Sequence, residues 1–259
     1  MLEVKNLSFR HKGQKKEILK EITFKANSGE ITTILGPNGA GKSTLFKCIT
    51  GVWKNYEGEV FVKGSQVDHL SFEKRAKFFS VVPQDHEPPF PYSVFEVVLM
   101  GRASYVGLFS SPSKRDYQKA EETLELVGLY HLKDYPYTKI SGGERQLTLI
   151  ARALAQEAPV IILDEPTSHL DFKNQSLILS KIKQVVKEKG LTAVITLHDP
   201  NLASLFSDKI IVIKRGQILH NGNPQEVITE EVLREVYEIG VKIVNHNGIN
   251  LVFPQIKET

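Results

Sequence analysis

Residues 36–44, Gly36-Pro37-Asn38-Gly39-Ala40-Gly41-Lys42-Ser43-Thr44, fit the pattern G-x-x-x-x-G-K-[ST]. Glycines let a backbone curl until successive amide N–H groups converge on one anion. Lys42 adds a point charge suited to β- and γ-phosphates, and the Ser43 hydroxyl is a ligand for Mg²⁺. Further along, the apolar run Val160–Leu163 ends in two adjacent carboxylates, Asp164 and Glu165. Ligands of open α/β sheets bind at the C-terminal ends of such strands. Asp164 suits the Mg²⁺ shell; Glu165, facing the other way along the strand, could polarise an attacking water. His198 closes another apolar run, 193–197, and from the same sheet would reach a γ-phosphate. These residue types point to binding and hydrolysis of a nucleoside triphosphate.

Ser141-Gly142-Gly143-Glu144-Arg145-Gln146 opens a further helical run. S-x-x-E is a capping box, with Ser141 as N-cap and Glu144 reaching back. Two glycines in a first turn are unfavourable for a helix unless something must approach that backbone closely. An anion fits such a place. The phosphate loop already leads into its own helix, so the second helix end makes sense if it serves a neighbouring subunit's nucleotide.

The elements that must hold these groups follow from apolar periodicity. The runs Ile31–Leu35, Val160–Leu163, 193–197 and 210–213 are continuous rather than alternating, as strands buried on both faces require. Between them Leu147, Ile150, Ala151 and Leu154 share one helical face, and Ile178, Ile182 and Val185 another, with Gly190 closing the second helix. The spacing therefore predicts an α/β fold with a mostly parallel sheet. Segments 1–30 and 55–82 alternate more and carry turn signals at Tyr56-Glu57-Gly58 and Lys63-Gly64-Ser65, which predicts an antiparallel β layer. Residues 86–157 open on a Pro-rich turn and then read as helices, one of them carrying Ala120, Leu124 and Val127 and ending at Gly128. They predict a helical subdomain inserted into one domain spanning 1–259. After Arg215, turn signals at Asn221-Gly222 and Asn247-Gly248 predict small strands around a helix.

Composition narrows the function classes. A chain of 259 residues, 41% hydrophobic and 24% charged, can bury a large core, which excludes a disordered protein. Net charge of +3 without a basic run gives no support for nucleic-acid binding. The single Cys48 cannot form an internal disulfide. No stretch approaches the roughly 20 apolar residues of a membrane span, and MLEVKNLSFRHKG lacks the apolar core of a secretion signal. A membrane role would come through a partner.

In order and spacing these motifs resemble the ATP-binding cassette (ABC) family over nearly the whole chain. Residues 36–44 match its Walker A motif, 140–146 its signature motif and 160–165 its Walker B motif. Ser168-His169-Leu170-Asp171 is similar to its D-loop, Gln84 to its Q-loop glutamine and His198 to its switch histidine. The resemblance implies a P-loop NTPase core and an ATPase working as a homodimer that sandwiches two MgATP. Ser141 and Gly143 would close over the γ-phosphate held by the other subunit's Lys42. Catalysis would involve Glu165, His198, Gln84 and Lys42. ATP would be held by residues 36–44 and by Ser141, Gly142, Gly143 and Glu144, and Mg²⁺ by Ser43, Gln84 and Asp164. Where the family usually has a Tyr to stack on adenine, this chain has Ser8-Phe9-Arg10-His11; His11 falls nearest the expected position, and the stacking residue would be Phe9 or His11.

The stretch Tyr92-Ser93-Val94-Phe95-Glu96-Val97-Val98-Leu99-Met100-Gly101-Arg102 resembles cassettes of importers for iron-siderophores, haem, cobalamin and molybdate. That likeness implies two transmembrane permease subunits, an extracytoplasmic binding protein as indirect partner, no nucleic acid, and a peripheral place on the cytoplasmic face of the cell membrane. A soluble ABC ATPase acting on nucleic acid or the ribosome is the alternative; it lacks support from a second cassette or a coiled-coil insertion. A regulatory module without turnover fits poorly with Glu165 and His198 both present.

Overall fold

The computed structural model describes residues 1–14, 16–84, 90–107 and 110–255. The chain divides into two compact units, Met1–His69 with Val186–Thr259, and Leu70–Val185.

The first unit opens with β1 (Leu2–Phe9), β2 (Leu19–Ala26), β3 (Ile31–Leu35), α1 (Lys42–Ile49), β4 (Tyr56–Val62) and β5 (Ser65–Gln66). β1 lies between β2 and β4, antiparallel to both, and β5 extends the sheet beyond β4. This is the predicted antiparallel layer. Burial alternates along β2, so one face of the sheet packs and the other meets water. The turn at Lys63-Gly64 forms as predicted, both residues at positive φ. Tyr56-Glu57-Gly58 does not turn. It starts β4, and Gly58 marks a bulge against β1, where a Cβ would meet the Lys5 carbonyl oxygen at 2.5 Å. A lone Gly in a strand signals close backbone approach as readily as a turn.

The second unit contains α2 (Phe72–Arg75), β6 (Phe79–Val82), α3 (Val94–Leu99), α4 (Lys114–Val127), α5 (Gly142–Ala155), β7 (Val160–Leu163) and most of α6 (Phe172–Lys189). β6 is parallel to β7, from Phe79 opposite Val160 to Val82 opposite Leu163, and so is not part of the antiparallel layer expected over 55–82. Its four residues are too few for alternation to distinguish the two settings. The helices of 94–155 appear where predicted, and Gly128 ends α4 in the left-handed conformation. Residues 86–89 of the Pro-rich turn lie outside the described residues.

The chain then returns to the first unit as β8 (Thr192–Thr196), α7 (Pro200–Phe206), β9 (Lys209–Lys214), β10 (Gln217–Gly222), α8 (Pro224–Val227), α9 (Glu230–Tyr237), β11 (Val241–His246) and β12 (Ile249–Pro254). Here β3 is parallel to β8 on one side and to β9 on the other, and β10 closes the edge antiparallel to β9. β3 and β8 are buried at every position, as their uninterrupted apolar runs require. Asn247-Gly248 makes the tight turn between β11 and β12. Asn221-Gly222 does not turn; it ends β10, and the hairpin turns at Arg215-Gly216, both at positive φ. Asn223 instead caps α8, and a Cβ on Gly222 would meet the Glu226 carboxylate at 2.5 Å.

Candidate functional site

In the first unit β3 delivers the phosphate loop. Gly36 leaves the strand where a Cβ would stand 2.1 Å from the Ile213 carbonyl oxygen of β9, so no other residue fits there. Gly41 sits at φ 106 immediately before α1, with Leu19 and Ile18 against it. Lys42 is buried, and its Nζ donates to the Gly36 and Pro37 carbonyls at 2.8 and 3.2 Å, folding the side chain back across the loop. A glycine curl running into a helix N-terminus is the arrangement that presents backbone amides to anionic oxygen. Ser43 is exposed.

β8 runs parallel to β3 with Ile34 opposite Thr196, which places Gly36 and the exposed His198 at the same strand ends. Asp199 caps α7 by accepting the Asn201 N–H at 2.7 Å. Tyr237, from the end of α9, has its hydroxyl buried beside the Gly36 backbone, without a full hydrogen bond among the described residues. Burial pushes that phenol up to about 12.

A cleft of about 330 Å³ lies between Phe9, Arg10, His11, Lys12, Trp53 and Lys54. Phe9 is buried, its ring stacked on Trp53 at 5.0 Å and 12°. His11 stands edge-on to both rings, 5.1 Å from Phe9 and 4.8 Å from Trp53, and is only half-buried. Of the two stacking candidates, Phe9 already has a ring against its face; His11 is the one open to a planar base.

In the second unit the register of β6 and β7 places Gln84 and the pair Asp164 and Glu165 at one end of the two strands. The Asp164 N–H donates to the Val82 carbonyl at 2.9 Å. Glu165 has φ 49, a left-handed conformation rare for a side-chain-bearing residue, and its carbonyl accepts from the Ser168 hydroxyl and amide at 2.8 and 3.1 Å. Glu21, Lys63, Glu157 and Arg215 are among the other residues with positive φ, so the conformation marks where the chain leaves β7 rather than a function. The capping box of α5 forms as read from the sequence. Glu144 accepts the Ser141 N–H at 2.7 Å and its hydroxyl at 2.6 Å, which holds the Glu144 carboxyl below the ordinary range. Gly143 has a reason within the chain: a Cβ would meet Asn174 Oδ1 at 2.8 Å. Gly142 has only ordinary contact with Leu170 and is exposed.

Residues 19–168 match the ABC transporter family, and the match contains the phosphate loop, the helix start at Ser141 and the carboxylates of β7. The chain belongs to the ABC transporter family. The cassette is 36% identical to a probable iron chelatin transport ATP-binding protein of Helicobacter pylori, over 98% of this chain and 99% of that one. It is 34% identical to the iron(3+)-hydroxamate import ATP-binding protein FhuC of Bacillus subtilis, over 90% and 87%. Among solved structures it is similar to a metal-chelate type ABC transporter in an inward-facing conformation, with 32% identity, a TM-score of 0.85 and coverage of 99% and 98%. A dimeric ATP-binding cassette in a post-hydrolysis state with ADP and Pi is 29% identical, with a TM-score of 0.73 over 86% of this chain and 99% of that one.

Sequence reasoning missed Trp53, Tyr237 and Asn174, which press on the cassette's motif residues from elsewhere in the chain. It also missed the reason for Gly101-Arg102. A Cβ on Gly101 would stand 2.1 Å from the Arg152 carbonyl oxygen of α5. The buried Arg102 donates to Asp116 at 3.0 Å, to the Ala155 carbonyl at 2.6 Å and to Glu157 at 2.8 Å. Only the Gly-Arg pairing carried a signal, a flexible residue beside a cation within an apolar run.

Proposed function

We propose that this cassette is the ATP-hydrolysing subunit of an importer for a chelated metal or a related cargo, such as an iron-siderophore. The observation that carries the reading is the likeness over 98% of the chain to a probable iron chelatin transport ATP-binding protein, together with the likeness over 90% of it to the iron(3+)-hydroxamate import protein FhuC. The same likeness favours import over an ATPase directed at nucleic acid.

The residues take the following parts. Lys42 and the amides of residues 36–44 bind the β- and γ-phosphates, while His11 stacks on adenine. Ser141, Gly142, Gly143 and Glu144 serve the γ-phosphate of a second copy in a homodimer with two nucleotides. Ser43, Asp164 and Gln84 offer a hydroxyl, a carboxylate and an amide oxygen, the hard donors that suit Mg²⁺. When bound, Mg²⁺ would neutralise charge developing on the phosphates. Glu165 accepts a proton from the attacking water, and His198 and Gln84 respond to the γ-phosphate.

Residues 86–157 serve as a helical subdomain that meets one of two permease subunits, which keep the cassette at the cytoplasmic face of the membrane and work with an extracytoplasmic binding protein. No helix among the described residues is long and apolar enough to cross a membrane itself. Phe90 is 61% exposed and meets Tyr92 edge-on at 5.9 Å, whereas Val94 is buried. That aromatic pair fits docking of a permease's cytoplasmic helix. In a reconstituted transporter, Phe90→Ser and Tyr92→Ser should keep melting temperature and basal ATPase while uptake collapses. Uptake that survives both in folded protein removes this surface from coupling.

A further inference from the structure

Asn201, three residues after His198, holds the outer edge of a C-terminal strand. Its side-chain amide donates to the Val252 carbonyl at 3.2 Å, and its Oδ1 accepts the Val252 N–H at 2.7 Å. Val252 lies opposite Ile243 of β11, and the Ile243 N–H donates outward to Glu230 of α9 at 3.1 Å. Val252 and Ile243 are therefore a non-hydrogen-bonded pair of the β11–β12 ribbon, with their polar groups directed away from each other. One edge is occupied by a side chain of α7, the other by a side chain of α9.

A two-stranded ribbon is marginal alone, so these clamps and the bond from Asn250 to the Ile228 carbonyl at 2.9 Å keep it in place. The same α9 ends in Tyr237, buried beside Gly36. Hydrogen bonds join Asp199 to Asn201, Asn201 to Val252 and Ile243 to Glu230; strand pairing joins Val252 to Ile243, and α9 runs from Glu230 to Tyr237, which lies beside Gly36. These contacts link the start of α7 to the phosphate loop by a second route besides the β3–β8 pairing.

We infer that Asn201 is a positioning residue for ATP hydrolysis, with the β11–β12 ribbon and α9 as a strut that sets His198 against the phosphate loop. The inference rests on the reading of His198 as a γ-phosphate contact. The test uses the full chain with MgATP. Steady-state kcat and KM, melting temperature and amide exchange in β12 are compared for Asn201→Leu, Asn201→Asp, Glu230→Ala and His198→Ala.

Asn201→Leu keeps the side chain's size but neither bond. It should lower kcat about tenfold, because small misplacements of a reacting group are costly, and leave KM within about twofold. Asn201→Asp keeps the acceptor for the Val252 N–H and should recover part of the loss. Glu230→Ala, acting from the opposite edge, should reproduce part of it even if Asn201→Leu folds poorly. Faster exchange in β12 with kcat unchanged overturns the strut, as does a fall in melting temperature with kcat intact below the transition. If His198→Ala itself hydrolyses ATP normally, the reading of His198 fails and the strut falls with it. A slow His198→Ala beside a fast Asn201→Leu overturns the strut alone.

Discussion

Gly101 rests on the backbone of Arg152: a Cβ there would lie 2.1 Å from the Arg152 carbonyl oxygen and 3.2 Å from the Ala155 side chain. The short 3₁₀ segment Met100–Tyr105 therefore packs directly on the last turn of α5. Because the nearest atoms are backbone, the helix cannot yield cheaply. Gly101→Ala should cost about 1–3 kcal/mol, as overpacking does, and lower the melting temperature by about 3–10 °C for a chain of this size. An unchanged melting curve would mean that the segment shifts freely and that the contact imposes nothing.

The neighbouring Arg102 sets up a pH test. Asp116 is held at about 2 against its ordinary 3.8, first by the Ser113 hydroxyl, then by the Ser113 amide and Arg102. Its folded value lies below its unfolded one, so the stabilisation is complete above pH 3.8 and is lost as pH falls toward about 2. Asp116→Asn should destabilise the protein by about 2 kcal/mol at neutral pH, the size of that shift, as Ser113 and then Arg102 lose a charged partner. Denaturant midpoints of variant and wild type should converge toward pH 2. Equal gaps at both ends of that range would show that the carboxylate's charge contributes nothing.

Glu165 sits in a left-handed backbone conformation immediately after β7. Glu165→Gln should still bind MgATP but hydrolyse it at least about 10²-fold more slowly, the usual scale for losing a general base. With product formation blocked, ATP should hold the variant as a dimer, visible by light scattering with and without MgATP. Wild-type turnover in this variant removes Glu165 from the chemistry.

Trp53, the chain's only tryptophan, contacts His11 directly, which makes its emission a reporter on the cleft. ATP should change that emission in the wild type. His11→Ala should weaken ATP binding by about tenfold, the scale of one lost base–aromatic stack, with stability nearly unchanged. Phe9→Ala, by contrast, removes a buried ring and should cost about 3–5 kcal/mol of stability. Nucleotide affinity that is indifferent to His11 would place the adenine elsewhere.

Much of the candidate site could be read from the chain because its chemistry is local. The phosphate loop needs consecutive residues, the capping box at Ser141 and Glu144 spans one helical turn, and β3 and β7 are bounded as their apolar runs are. Errors came where a local signal has two outcomes. Asn221-Gly222 and Asn247-Gly248 are the same dipeptide, yet only the second turns, since the first is held in β10 by pairing with β9 and by the cap of α8. Gly58 became a bulge because β1 lies across it.

By itself the sequence determined the residue types, their order and the spacing that sets glycines, a lysine and carboxylates at the ends of buried strands. Those are consequences of a few residues at a time, decided by backbone sterics and apolar periodicity. Only the tertiary structure decided that Phe9 is covered by Trp53 while His11 is open, that Arg102 meets Asp116 and Glu157, and that Asn201 grips Val252. Each of those pairings joins residues from separate elements. Their hydrogen bonds and ring contacts form only after the apolar core has brought distant elements together, and no nearby residue encodes the partner.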